Sequence, residues 1–181
     1  MVFRRLVMSI AVVAMPLAVI TTVVGSGPAS AQTGHLSCSS ITGSLTFSPP
    51  LKNGGTKAEV TTTNTVEKSC SGGTPDPTKV TGTSSTKSAT NSCAGLIKTS
   101  TVTITLSYTP TEPKSTFSGK ATPTTSPPGF KLLGKVTGSY AASTASATVK
   151  LKQTETQIKA ACKSSGGLGS LTIASGSSTS S

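Results

Sequence analysis

The stretch Thr99-Ser-Thr-Val-Thr-Ile-Thr-Leu-Ser-Tyr-Thr109 decides the fold class of this 181-residue chain. Apolar side chains recur there at every second position, as Val102, Ile104, Leu106 and Tyr108. Successive side chains of a strand point to opposite faces, so a period of two marks a strand with one buried and one wetted face. The stretch therefore predicts the central strand of a β-sheet.

Weaker versions of the same alternation occupy most of the remaining chain, separated by Gly and Pro turns. They predict an all-β fold with eight to ten short antiparallel strands, either a β-sandwich or a flattened barrel. The uneven strand lengths favour the sandwich. Helix content is predicted to be minimal, with one short helix possible at 141–147 or 154–161. The predicted inward side chains are Val102, Ile104, Leu106, Tyr108, Ile41, Leu45, Phe47, Val60, Val66, Val136, Val149 and Leu151.

The N-terminal region has the order of a secretory signal peptide. Arg4 and Arg5 precede a long apolar run, and small residues lead up to Ala31. This order predicts a signal-peptide helix over residues 1–31 with cleavage after Ala31. The alternative is an uncleaved membrane anchor, because the apolar run is nearly long enough to span a bilayer. Pro16 and the small residues favour cleavage.

The mature chain would then be Gln32 to Ser181, long enough for one folded domain. We predict a single β-domain over residues 32–174 and a disordered Ser-rich tail over residues 175–181. The high Ser and Thr content is also compatible with a disordered stalk. The alternating apolar positions and the four spread cysteines favour a folded domain.

A predicted hairpin places the first two strands side by side. If Asn53-Gly54 centres the turn, Phe47 lies opposite Val60 and Cys38 lies opposite Ser69, one residue short of Cys70. The same register sets Ile41 opposite Val66, so the apolar faces agree. A bulge near residues 39–40 would then bring the two cysteines together.

An even number of cysteines in an exported chain predicts disulfides. The hairpin favours Cys38 with Cys70, which leaves Cys93 to pair with Cys162. A zinc site is disfavoured, because no two cysteines have the spacing of a metal knuckle and His35 is the only histidine. We predict no metal and no cofactor.

Catalytic constellations are weak in this sequence. His35 lies near the predicted mature N-terminus, which is a poor setting for a Ser–His–acid triad. Glu59 and Glu67 stand far apart along one strand and are predicted to face solvent as partners of lysines. Ser and Lys are abundant, but no Ser-x-x-Lys lies in a convincing helix. We therefore predict that the protein is not an enzyme.

The basic charge of the chain comes from dispersed lysines. Removing the signal leaves 14 Lys and five acidic residues, a net charge of +9. The mature part has no Arg and few aromatic residues, which disfavours nucleic-acid binding. The sequence identifies no specific partner. It predicts no membrane association after signal cleavage and leaves open weak contact with anionic cell-envelope polymers.

Several loose motifs resemble a group of small exported Thr/Ser/Gly-rich proteins of actinobacteria. The motifs are Leu45-Thr-Phe-Ser-Pro-Pro-Leu51, Gly54-Gly55, Cys70-Ser-Gly-Gly73 and Cys93-Ala-Gly-Leu96. The resemblance implies export and a disulfide-containing β fold, and it transfers no site residues.

Three functions follow as hypotheses. The first is a secreted, non-catalytic binding or structural module at the cell envelope or in the medium. The second is a secreted enzyme inhibitor or small-ligand carrier, and the third a hydrolase. An enclosed apolar cavity would favour the carrier, a protruding braced loop the inhibitor, and a pocket joining Ser, Lys and an acid the hydrolase.

Overall fold

The computed structural model describes residues 35–181, which form an eight-stranded antiparallel β-barrel. Each strand pairs with its neighbour in the chain, and β8 pairs with β1 to close the barrel. The strands are β1 (Ser37–Leu51), β2 (Glu59–Ser71), β3 (Lys79–Ser88), β4 (Ser100–Thr109), β5 (Ser115–Thr125), β6 (Pro128–Gly138), β7 (Ala142–Leu151) and β8 (Leu168–Ser180). A short 3₁₀ helix (Cys93–Ile97) precedes β4, and an α-helix, α1 (Glu155–Lys163), precedes β8.

The predicted all-β antiparallel fold of eight to ten strands is confirmed, and of its two forms the barrel is the one observed. Closure gives every strand a paired neighbour on each side over at least part of its length, which removes most of the free sheet edge. The predicted signal peptide, residues 1–31, lies outside the described residues. α1 overlaps the second of the two stretches considered for a helix, and its Thr154 N-cap forms a capping box with Gln157.

The inner face of the barrel carries most of the predicted core. Ile41, Phe47, Tyr108, Val136 and Val149 are buried. The remaining β4 positions also face inward and are half-buried, as are Leu45 and Leu151. The alternation in β4 therefore predicted correctly which face of this strand points into the barrel.

The predicted register of the first hairpin is wrong by one residue. Phe47 lies opposite Thr61, Ile41 opposite Glu67 and Cys38 directly opposite Cys70. Pairing is centred on Gly54, which has φ +67°, instead of between Asn53 and Gly54. The register is the same on both sides of residues 39–40, so the bulge predicted there is not needed to align the two cysteines.

A one-residue shift moves every side chain of a strand to its other face. Val60 and Val66, predicted to be inside, consequently face outward. The inner face of β2 consists of Glu59, Thr61, Thr63, Thr65 and Glu67.

Two disulfides join Cys38 to Cys70 and Cys93 to Cys162, which is the pairing expected from the sequence. The first links β1 and β2 at the end of the barrel where the chain enters. The second links the 3₁₀ helix to α1 at the opposite end. Each end of the barrel thus has one covalent cross-link.

The expected disorder after residue 174 is wrong. Residues 175–180 belong to β8 and pair with β7, from Lys150 opposite Ser175 to Ala145 opposite Ser180. Ser37 of β1 lies opposite Thr179 on the other side. The Ser-rich segment is ordered because it supplies part of the strand that closes the barrel.

Candidate functional site

The barrel encloses a cavity of about 350 Å³ to which all eight strands contribute side chains. An eight-stranded barrel is just wide enough to be filled by its own side chains or to hold one small ligand. Here the lumen is incompletely filled, and its volume falls in the range of small-molecule sites. The lumen is therefore the candidate functional site.

One wall of the lumen is apolar. Its centre is β4, whose side chains Val102, Ile104 and Leu106 point inward and remain half-buried. They pack beside Phe117 of β5 and Leu132 of β6. Inward side chains that keep accessible surface face empty space, so β4 offers apolar surface to a ligand.

The adjoining wall, on β2 and β3, is polar. Three threonines and two glutamates line it from β2, and Ser84, Thr86 and Ser88 line it from β3. The prediction that Glu59 and Glu67 face solvent and pair with lysines is wrong, because the hairpin register turns both carboxylates into the lumen. The cavity is therefore amphipathic.

Glu67 lies in a ring of inward side chains near the chain-entry end. Its strand neighbours are Ile41 on β1 and Val80 on β3, and Val80 in turn lies opposite Tyr108 on β4. Ser178 Oγ of β8 donates a hydrogen bond to Glu67 Oε2 at 2.6 Å. Desolvation by burial raises the pKa of Glu67 above its ordinary value, and the bond from Ser178 partly opposes this rise.

Glu59 occupies the other end of the same strand and is more tightly enclosed. Only 4% of its surface is exposed, and Thr61 Oγ1 donates a hydrogen bond to its Oε1 at 2.6 Å. The two glutamates are eight positions apart, roughly 26 Å along an extended strand. The two carboxylates therefore lie at opposite ends of one wall, too far apart to act together.

Two tyrosines close the chain-entry end of the lumen. The rings of Tyr108 and Tyr140 are tilted by 56° with centroids 4.7 Å apart, and they pack against Cys38 and Val80. Tyr140 donates its hydroxyl hydrogen to the carbonyl of Pro75 at 2.6 Å. Burial raises the pKa of Tyr108 to about 12. This end of the barrel is a packed plug.

The opposite end is covered by α1 and the 3₁₀ helix. Cys93, Cys162 and Leu168 pack there with Phe47 and Leu51 of β1. Buried Asn91 braces the same end, since its Oδ1 accepts a hydrogen bond from Lys57 N at 3.0 Å and its Nδ2 donates one to Pro50 O at 2.8 Å. The cover is therefore held by one disulfide, apolar contacts and a bridging amide.

The wall between β3 and β4 is incomplete. Within the described residues, pairing runs from Lys79 opposite Thr109 to Thr83 opposite Thr105 and then stops. β3 continues to Ser88 against β2 alone, and β4 begins at Ser100 against β5 alone. The barrel thus has a lateral opening between residues 84–88 and 100–104.

Exposure of the lining residues agrees with this opening. Thr86 and Ser88 line the cavity on the inner face of β3 and are nevertheless exposed, as is Ser100 on β4. Leu96 and Lys98 of the connection between the strands also border the cavity. The opening gives the lumen a route to solvent at its side.

Other predicted site residues are not brought together. His35 is exposed at the start of the described chain. Among residues 35–181, no group of three or more His, Cys, Asp or Glu is placed to hold a metal ion, and all four cysteines are in disulfides. None of the helices in that part of the chain is long and apolar enough to cross a bilayer.

Comparison with known proteins finds no family model, no curated protein and no solved structure that matches this chain. The functional interpretation consequently rests on the barrel and its lumen.

Proposed function

We propose that this protein is an exported, non-catalytic binding protein that holds one small, largely apolar molecule in the lumen of its barrel. The observation that carries the proposal is the 350 Å³ cavity with half-buried apolar side chains on β4. Among the functions considered from the sequence, this is the small-ligand carrier.

The exposed apolar lining favours binding over a purely structural role. Removing apolar surface from water contributes about 25 cal/mol per Å². A ligand covering Val102, Ile104 and Leu106 would gain from side chains that the fold has already oriented. A largely preformed site also lowers the ordering cost of binding.

The two disulfides support action in an oxidising compartment, which agrees with export to the cell envelope or the medium. They cross-link both ends of the barrel and keep the lumen in shape without a ligand. The lateral opening between β3 and β4 gives an entry route that leaves these cross-links intact.

The experiment is a fluorescence titration of residues 32–181 with N-phenyl-1-naphthylamine, a neutral apolar probe. We expect saturable binding with one site per chain. Ser84→Trp should abolish it, because Ser84 lines the lumen and indole would occupy the cavity.

Ser85→Trp is the matched control, since Ser85 lies next in the strand, on the outer face, and is exposed. Circular dichroism verifies the fold of both variants. Absence of saturable binding, or equal loss of binding in both variants, would refute the proposal.

A further inference from the structure

The acidic residues of the chain are distributed unexpectedly. Two of the five acids, Glu59 and Glu67, line the lumen. Neither has a lysine partner: within residues 35–181 the one ion pair joins Lys159 to Glu155 on the surface of α1. Lys98 is the one lysine among the lining residues, and it is exposed at the lateral opening.

A buried carboxylate without a cation is costly, because hydration is lost and nothing of opposite charge replaces it. Glu67 accepts one side-chain hydrogen bond, from Ser178 to Oε2. In the described part of the chain no side chain donates to its Oε1. The carboxylate is half-buried and lines the cavity, so this oxygen is available to a ligand.

The surroundings of Glu67 also fit a cation. Tyr108 lies two strands away in the same ring of inward side chains. The face of a tyrosine ring attracts ammonium groups, most strongly in a desolvated site. A carboxylate, a hydroxyl and an aromatic ring on one side of an apolar cavity are groups that recognise an alkylammonium ion.

We propose that the ligand of the lumen is an amphipathic amine, whose ammonium group binds the Glu67 carboxylate while its apolar part lies along Val102, Ile104 and Leu106. This inference rests on the proposed function and deepens it by naming the ligand class. A fatty acid anion of the same length is disfavoured, because its carboxylate would meet another carboxylate in a low-dielectric lumen.

Glu59 is not the recognition group. With 4% of its surface exposed, it is enclosed by protein and bonded to Thr61, whereas Glu67 keeps accessible surface. The two residues have the same chemistry on the same inner face, which makes Glu59 a matched control. Burial also raises the pKa of Glu67, and a bound ammonium would favour its ionised form.

The test is displacement of N-phenyl-1-naphthylamine by decylamine, decanol and decanoic acid at neutral pH. These competitors share a chain length and differ in head group. We expect decylamine to displace the probe at a concentration at least about tenfold lower than decanol, the scale of one charge-assisted hydrogen bond. Decanoic acid should be the weakest.

In Glu67→Gln, the displacing concentrations of decylamine and decanol should differ by no more than about twofold, because the charge-assisted hydrogen bond is lost. In Glu59→Gln, the three competitors should keep the wild-type order. If Glu67→Gln does not fold, Glu67→Thr replaces it, since threonine already occupies three neighbouring inward positions of β2. Circular dichroism checks each variant.

The outcomes are distinguishable. If the probe binds but decylamine has no advantage over decanol in the wild-type protein, the amine inference is refuted and the proposed function stands. If Glu59→Gln removes the advantage and Glu67→Gln does not, the assignment to Glu67 is refuted. If the probe itself does not bind, both the proposed function and this inference fail.

Discussion

Two isoleucines test whether the lumen is empty or packed. Ile41 on β1 and Ile104 on β4 both point into the barrel and border the cavity, but only 2% of Ile41 is exposed, whereas Ile104 is half-buried. Replacing each by alanine removes the same atoms. Any difference in cost therefore reports the surroundings of the side chain.

The expected losses differ by about 2 kcal/mol. Ile41 packs against Val149 and Ile173, so Ile41→Ala loses the transfer free energy of three side-chain carbons and leaves a new cavity, about 3–4 kcal/mol in all. Ile104 already faces empty space on one side. Ile104→Ala should cost about 1–2 kcal/mol, because little new cavity forms and part of the side chain was accessible beforehand.

Urea unfolding monitored by far-ultraviolet circular dichroism measures both losses, provided that the m-value stays constant. Thr103→Ala, an exposed change on the outer face of β4, is the control and should cost under about 0.5 kcal/mol. Equal losses for the two isoleucine variants would mean that Ile104 lies in a packed core, and the reasoning about the lumen would then be wrong.

Two further predictions concern the cross-linked cover and the buried acid. Replacing Cys93 and Cys162 by serine removes a cross-link with a sequence separation of 69. Chain entropy predicts that the free energy of unfolding in urea falls by an amount on the order of 4 kcal/mol. A fall below about 1 kcal/mol would contradict this prediction. Because the folded-state pKa of Glu67 is raised, its protonated form stabilises the fold below the ordinary pKa of 4.5, and this stability is lost as pH rises through the raised pKa. The unfolding free energy of the wild type relative to Glu67→Gln should therefore fall from pH 4 towards neutrality. If this free-energy difference did not change with pH, the Glu67 carboxylate would be solvated and the prediction would be wrong.

The parts of the fold that could be predicted are those with a local apolar signal. Val102, Ile104 and Leu106 alternate with threonine, which fixed the inner face of β4 correctly. The disulfide pairing followed from the position of Cys38 and Cys70 at the ends of one hairpin. The first inference needed only neighbouring residues in the chain. The second needed one hairpin and the elimination of the other pairings.

Closure of the barrel could not be predicted from local apolar alternation. The inner face of β3 continues as Ser84, Thr86 and Ser88, and that of β8 ends in Ser178 and Ser180, so neither segment has an alternating apolar pattern. The end of β3 is ordered by pairing with β2, and the end of β8 by pairing with β1 and β7. This is a long-range effect that local composition does not contain. Segments that line a lumen with hydroxyl groups consequently resemble loops or a disordered tail in the sequence.

The candidate site was missed for a related reason. On β2 the valines at 60 and 66 favour one face, and the turn centred on Gly54 selects the other. Both faces contain β-forming residues, so propensity does not decide between them. A shift of one residue in the β1–β2 register therefore decides whether both glutamates face solvent or the cavity.

The most direct test of a ligand-binding lumen is to locate a bound molecule among the side chains. Intermolecular nuclear Overhauser effects should be measured between N-phenyl-1-naphthylamine and methyl-labelled protein. We predict contacts from the probe to the methyl groups of Val102, Ile104 and Leu106, and none to Val60 and Val66 on the outer face of β2. Contacts to the outer valines without contacts to β4 would contradict the account.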